Sequence, residues 1–290
     1  MTIAVDLRHF LAVILLTAAA GAEAATPAEW SKPFPGHRVI GNLYAVGGYD
    51  LAVYLITSDD GHILINTGLE DSVEMIRENI AAVGYRLEDV QILLTMQAHF
   101  DHTGALAAIK EIAGAQMWAT AKDARVLADG GFSDPHFGGR QSFQPVAVDR
   151  IITDGEVLEL GDIRLRVHEH PGHTEGSSSY SMAVSEDGRD YKVLIANMGT
   201  INDGKQLLID PTYPGVAEDF ARTFRAQQAM DVDIWVAAHG SQYGLHDKFK
   251  PGDAYSPRTF VDPEGFAAEV NRLAGIYVEQ LRQESETLVQ

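Results

Sequence analysis

The sequence predicts an α/β fold of the αββα sandwich type, two facing β-sheets with helices on the outside. Three observations carry that expectation. The chain runs twice through one scheme, strands followed by helices, once in each half. Three strand-like apolar runs, at 90–95, 163–167 and 234–238, each lead into a histidine beside a small or turn-forming residue. No low-complexity linker separates the halves, so residues 25–290 read as one domain.

The elements follow in order. Residues 31–36 form a Pro-rich entry segment. Strand-like runs come next at 43–46, 52–56 and 63–65, with Asp59-Asp60-Gly61 as a hairpin turn. Val73, Ile76, Ile80 and Val83, spaced by three and four, predict an amphipathic helix on the sheet, capped by Asp71 or Ser72 and stopped by Gly84. Residues 104–113 predict a second helix, stopped by Gly114, and 116–120 a further strand. Gly-rich residues 129–140 predict a mobile loop flanking the site, with His136 as an exposed loop residue rather than a ligand. The second half gives strands at 157–160, 163–167, 180–184, 192–196 and 207–209, a helix at 217–230 and a strand at 234–238. Finally, Asp262-Pro263 caps a helix whose Phe266, Val270, Leu273, Tyr277 and Leu281 form one core-packing stripe.

Ahead of the domain, Arg8 and His9 precede the apolar run from Phe10 to Leu16, and small residues lead to Ala22-Glu23-Ala24. That is the pattern of a secretory signal peptide at 1–24 with an A-x-A cleavage site, too short in its apolar part to anchor in a bilayer. It predicts export to the periplasm. With no cysteine the chain has neither disulfides nor a thiol for lipid attachment, so no membrane anchor is expected. The 41 acidic residues against 22 basic give a net charge of -19, which repels phosphate backbones and argues against a nucleic-acid partner. A monomer is expected.

The segment Gln97-Ala98-His99-Phe100-Asp101-His102 packs up to four metal-ligand side chains into six residues, directly after an apolar strand. A tight turn there can aim His99 at one cation while Asp101 and His102 hold a second. Imidazole suits zinc, and a carboxylate adds charge while leaving positions open to water. Pro171-Gly172-His173-Thr174 and His239-Gly240 add two more histidines, each at a strand's end. Ligands so placed sit on a rigid scaffold yet reach solvent.

This pattern resembles the metallo-β-lactamase superfamily, whose H-x-H-x-D-H, P-G-H-T and late histidine occur in this order, and the resemblance covers nearly all of the chain after the leader. Leu64-Ile65-Asn66-Thr67-Gly68 is similar to an early strand-and-turn element of that family, in which the position of Asn66 is usually Asp. The leader and the missing cysteines point to subclass B3, and Gln97, Asn197-Met198 and residues 238–242 to its GOB-type members. The resemblance assigns Gln97, His99 and His173 to one zinc site and Asp101, His102 and His239 to another, with one or two ions bound. It implies hydrolysis of a small β-lactam by a zinc-bound hydroxide, a zinc-bound water having its pKa lowered to about 7. Asp101 then holds its metal and orients the nucleophile.

The departures have physical content. An amide oxygen is a poorer zinc ligand than imidazole, so the Gln97 site is expected to bind more weakly and the Asp101 site to fill first. Asn66 lacks the charge of the usual Asp, so ligand basicity is expected to be lower. Met198 lies where related enzymes often have a serine facing the pocket, leaving Thr200 or Asn202 as the nearest partner for a substrate carboxylate. Core or surface roles are expected for His168, His170 and His246, with His170 close enough to support the ligands. Two rival readings share these residues: another hydrolase on the same fold, acting on a lactone, thioester or sulfate ester, and a zinc-binding protein without turnover.

Overall fold

A computed structural model describes residues 26–288; the expected signal peptide lies outside them. The first sheet holds seven strands in chain order: β1 (His37–Ile40), β2 (Leu43–Ala45), β3 (Tyr54–Ser58), β4 (Gly61–Ile65), β5 (Val90–Leu94), β6 (Gln116–Thr120) and β7 (Arg150–Ile152). The second holds β8 (Val157–Leu160), β9 (Ile163–Glu169), β10 (Ser178–Glu186), β11 (Arg189–Ala196) and β12 (Ile234–Ala237), in the spatial order β12-β11-β10-β9-β8. Helices α1 (Val73–Ala82), α2 (Phe100–Thr103), α3 (Leu106–Ala113) and α4 (Ala121–Asp129) belong to the first half. Helices α5 (Val216–Gln228), α6 (Leu245–Lys248) and α7 (Pro263–Leu288) belong to the second.

Side-chain alternation builds the layers. Tyr54, Ile56, Ile63, Ile65, Ile92 and Leu94 pack with Leu165, Val167, Tyr180, Val193 and Ile195 of the second sheet. The intervening Leu55, Leu64, Leu93 and Met117 turn the other way, onto Ile76 and Ile80 of α1 and Leu106 and Ile109 of α3. Strands β3 to β5 are apolar on both faces because both are covered. Each fully buried side chain of this size contributes about 2 kcal/mol relative to exposure. On the far side Phe220 and Phe224 of α5 meet Tyr277 of α7, whose Phe266, Val270 and Leu273 are buried as the stripe predicts.

Strands β4, β5 and β6 run parallel, and β12 runs parallel to β11. Parallel strands direct the chain ends after β5 and β12 to one edge of the sandwich, and the loop after β9 joins them there. The hairpin at Asp59-Asp60 forms as expected, with Ser58 paired to Gly61.

Three expectations change. Residues 207–209 are not a strand, because the N–H groups of Leu207, Leu208 and Ile209 all donate to the Glu284 carboxylate of α7 instead of to a neighbouring strand. The helix expected at 104–113 starts at Leu106, after the separate turn α2; Gly104 lies at the join, where a Cβ would stand 2.6 Å from the Leu69 carbonyl carbon. His136 is half-buried rather than exposed, its ring edge-on to Phe137 at 4.7 Å. Strands β1 and β7 and helix α4 went unseen in the sequence: β7 has three residues and one buried position, and α4 follows β6 directly with no turn residue between them to mark its start.

Candidate metal centre

The turn after β5 is set by local hydrogen bonds. Thr95 Oγ1 donates to the Gln97 carbonyl at 2.7 Å, and the His102 N–H and Thr103 hydroxyl both donate to the His99 carbonyl, at 2.9 and 2.8 Å. These bonds wind α2 and put Asp101 and His102 on its first turn. Asp101 Oδ2 lies 3.2 Å from His102 Nε2 and 3.6 Å from His239 Nε2, and one ligand atom from each residue falls within 4.8 Å of the others. His99 and His173 meet beside them, ring centroids 4.9 Å apart. Gln97 is buried, and the bonds that fix it run through its backbone to Thr95.

His173 reaches the site because Gly172 adopts a φ of 126° that favours glycine, and a Cβ there would stand 2.7 Å from the Phe220 ring. Its Nδ1 donates to the Thr200 carbonyl at 2.8 Å, with the Thr200 hydroxyl 2.9 Å away. Thr200 therefore holds a candidate ligand, and it is half-buried beside the site where the sequence expects a partner for a substrate carboxylate. Asn202 is half-buried in the following turn, its carbonyl accepting from the Lys205 N–H at 3.0 Å. Lys205 itself was missed; it is buried, its Nζ donates to the His173 carbonyl at 3.0 Å, and burial pulls its pKa down to about 8.

Asp50 was missed too. Its Oδ2 accepts from His239 Nδ1 at 3.0 Å and its Oδ1 from the Ser241 N–H at 2.8 Å. Burial alone would raise its pKa, but His239 and Ser241 more than offset this and hold the carboxyl at about 2. Asp101 behaves alike: burial pushes upward, yet His102, His239 and His99 keep it below the usual carboxylate range. Burial lowers the pKa of His102 and His173, so both rings are neutral and able to ligate.

Asn66, in a left-handed conformation with φ 64°, turns its amide toward His102. Its Oδ1 accepts from the Met96 N–H at 2.9 Å, so the NH₂ faces His102 Nδ1 at 3.5 Å. Met198 is buried in the core between the sheets. His170 bonds Ser179, His168 bonds Ser181, and His246 stacks on Tyr49, so none of the three supports the ligands.

The residues fit a divalent metal. His102 Nε2 is fully buried without a hydrogen-bond partner, beside an ionised carboxylate and a third nitrogen, which is costly unless a cation completes the set. Imidazole and carboxylate donors together suit zinc.

The overall fold matches the metallo-β-lactamase GOB-18 from Elizabethkingia meningoseptica with a TM-score of 0.87 and 41% identity, covering 90% of this chain and 97% of that one. A family profile described as the metallo-beta-lactamase superfamily matches residues 46–185. This chain belongs to the metallo-β-lactamase superfamily. Within it, the class B3 di-zinc metallo-β-lactamase LRA-12 from an Alaskan soil metagenome is 46% identical with a TM-score of 0.86, covering 89% and 98% of the two chains. A hydroxyacylglutathione hydrolase of Bradyrhizobium sp. (strain BTAi1) is 30% identical over 139 residues, 45% of this chain and 46% of that protein. The chain spans roughly half to three-fifths of the length of the curated relatives it matches. As a hydrolase of this superfamily it carries its metal-ligand motif inside the region the profile covers, while His239 lies beyond it.

Proposed function

We propose that this chain is an exported zinc β-lactamase of subclass B3, GOB-like in its Gln97, which opens the β-lactam amide of penicillins, cephalosporins and carbapenems. The observation that carries the proposal is the gathering of Asp101, His102 and His239 beside His99 and His173, in a chain alike over nearly its whole length to two metallo-β-lactamases. Gln97, His99 and His173 would hold one ion and Asp101, His102 and His239 the other. Zinc bound there supplies a Lewis acid and acidifies a water to a pKa of about 7.

The chain's own residues do the rest. Asp101 stays ionised, so it can accept a hydrogen bond from the attacking water and orient it toward the carbonyl. Thr200 and Asp50 fix the rings of His173 and His239, so these nitrogens do not reorganise during the reaction. Trp30 lies 5.5 Å from the His239 ring and 6.0 Å from Phe100, and Phe137 lies 4.8 Å from His99. Together they form an aromatic rim that can exclude water from a bound lactam. Export to the periplasm is part of the proposal and rests on the leader sequence.

The curated sequence relatives favour a second reading, thioester hydrolysis at the same centre. Assaying the mature protein on a penicillin, a cephalosporin, a carbapenem and a glutathione thioester separates the two. The first reading expects β-lactam turnover at least about a hundredfold more efficient in kcat/KM than thioester turnover, a specificity ratio worth roughly 2.7 kcal/mol. The reverse ranking would transfer the assignment to the thioester.

A further inference from the structure

The Gly-rich loop after α4 carries a buried carboxylate that the sequence gives no reason to notice. Asp134 Oδ1 accepts the N–H groups of His136 and Phe137, at 2.9 and 2.6 Å, which pins the carboxyl plane to the loop. Its Oδ2 points inward and stands 3.5 Å from His99 Nε2, with both side chains nearly inaccessible to solvent. That ring nitrogen is buried and makes no hydrogen bond, so the Asp134 carboxylate at 3.5 Å is the charged group that faces it, and the Phe137 ring closes over His99 edge-on.

A neutral imidazole offers one N–H donor and one lone pair, and the partner of one nitrogen decides which role the other takes. His173 and His239 spend Nδ1 on the Thr200 carbonyl and the Asp50 carboxylate, so each has Nε2 free for metal. His99 is turned the other way. We infer that Asp134 is a positioning residue for His99: its carboxylate keeps the ring hydrogen on Nε2 and so makes Nδ1 the atom that His99 presents to the metal. The loop and the centre are thereby linked through one carboxylate, which bonds the loop backbone with one oxygen and faces a ligand with the other. The inference deepens the metal reading of the Gln97, His99 and His173 site and rests on it.

Asp134→Asn tests this with little change in shape. Two backbone N–H groups require an acceptor at Oδ1, so the new NH₂ must face His99 Nε2. That forces Nε2 to accept and moves the ring hydrogen to Nδ1. Long-range proton–nitrogen NMR of the mature protein as purified reads the tautomer directly, with or without metal. Wild type is expected to carry Nε2–H on His99 and the variant Nδ1–H. In zinc titrations against a competing chelator, the variant should lose affinity for one equivalent by about tenfold or more while the other stays within about twofold, the size expected when a ligand's orienting partner is removed. Nδ1–H in the wild type would overturn the inference. So would a variant that titrates like wild type, or one that loses both equivalents equally. A protein that binds no zinc would defeat the proposed function, and the wild-type tautomer would still decide the role of Asp134.

Discussion

At the scale of single residues, the centre depends on which atom each ligand has left over after its other contacts are made. Asp101 faces both His102 and His239, so Asp101→Ala removes the one charge among the gathered donors. Losing a supporting partner already costs 10- to about 100-fold, so losing this ligand should lower kcat/KM by more than about a hundredfold. Turnover at wild-type rate in that variant would remove Asp101 from the mechanism. Asn66 presents an NH₂ where His102 Nδ1 needs an acceptor, and Asn66→Asp supplies one in the same shape. Zinc affinity of the Asp101 site is expected to rise about tenfold, read by chelator competition. Gln97→His should tighten the other site without shifting the far-ultraviolet circular dichroism. Asp123 is buried against Thr174 and Gly176, and burial raises its pKa to about 6 despite those bonds. The native state thus keeps a proton there that the unfolded chain releases near pH 3.8. Its contribution to stability is full below about pH 4 and is lost as pH rises through about 6, by up to roughly 3 kcal/mol. Urea melts in chelator at pH 4 and pH 7 should show that difference shrinking in Asp123→Asn, and an unchanged difference would show that the carboxyl does not titrate there.

At the scale of elements, two short segments carry the placement of the ligands. Gly172→Ala must adopt a φ of 126° and push a methyl into the Phe220 ring, a backbone and packing penalty together. A loss of at least about 2 kcal/mol and a weakened His173 site are expected. Helix α7 anchors residues 207–209 through Glu284, and Glu284→Ala leaves three partly buried N–H groups without that acceptor. A loss of about 1–3 kcal/mol in thermal or urea melts checks it. The same segment explains what could be seen in the sequence. Residues 207–209 look like a strand because apolar β-formers in a row carry no sign that a carboxylate 75 positions later will take their N–H groups. Strands β3 to β6 were legible as apolar runs, and helices α1 and α7 because their apolar spacing repeats over whole turns. Strand β7 has only three residues, and α4 follows β6 directly with no turn residue between them to mark its start.

At the scale of the whole molecule, the two halves of the sandwich each bring candidate ligands to one place: His99, Asp101 and His102 from the first, His173 and His239 from the second. That convergence was legible because histidines at strand ends survive any uncertainty about the loops between them. The partners that aim them were not. Asp50, Asp134 and Lys205 are ordinary charged residues in the sequence, and only the closed fold puts them within 3.5 Å of a ligand histidine. The most direct test of a metal-dependent β-lactamase is to follow penicillin hydrolysis by the mature protein as its metal is removed with a chelator and zinc is then restored. Turnover that vanishes on removal and returns with zinc is the predicted result. Turnover that persists in the fully stripped protein, or that fails to appear when zinc fills the site, would contradict the account.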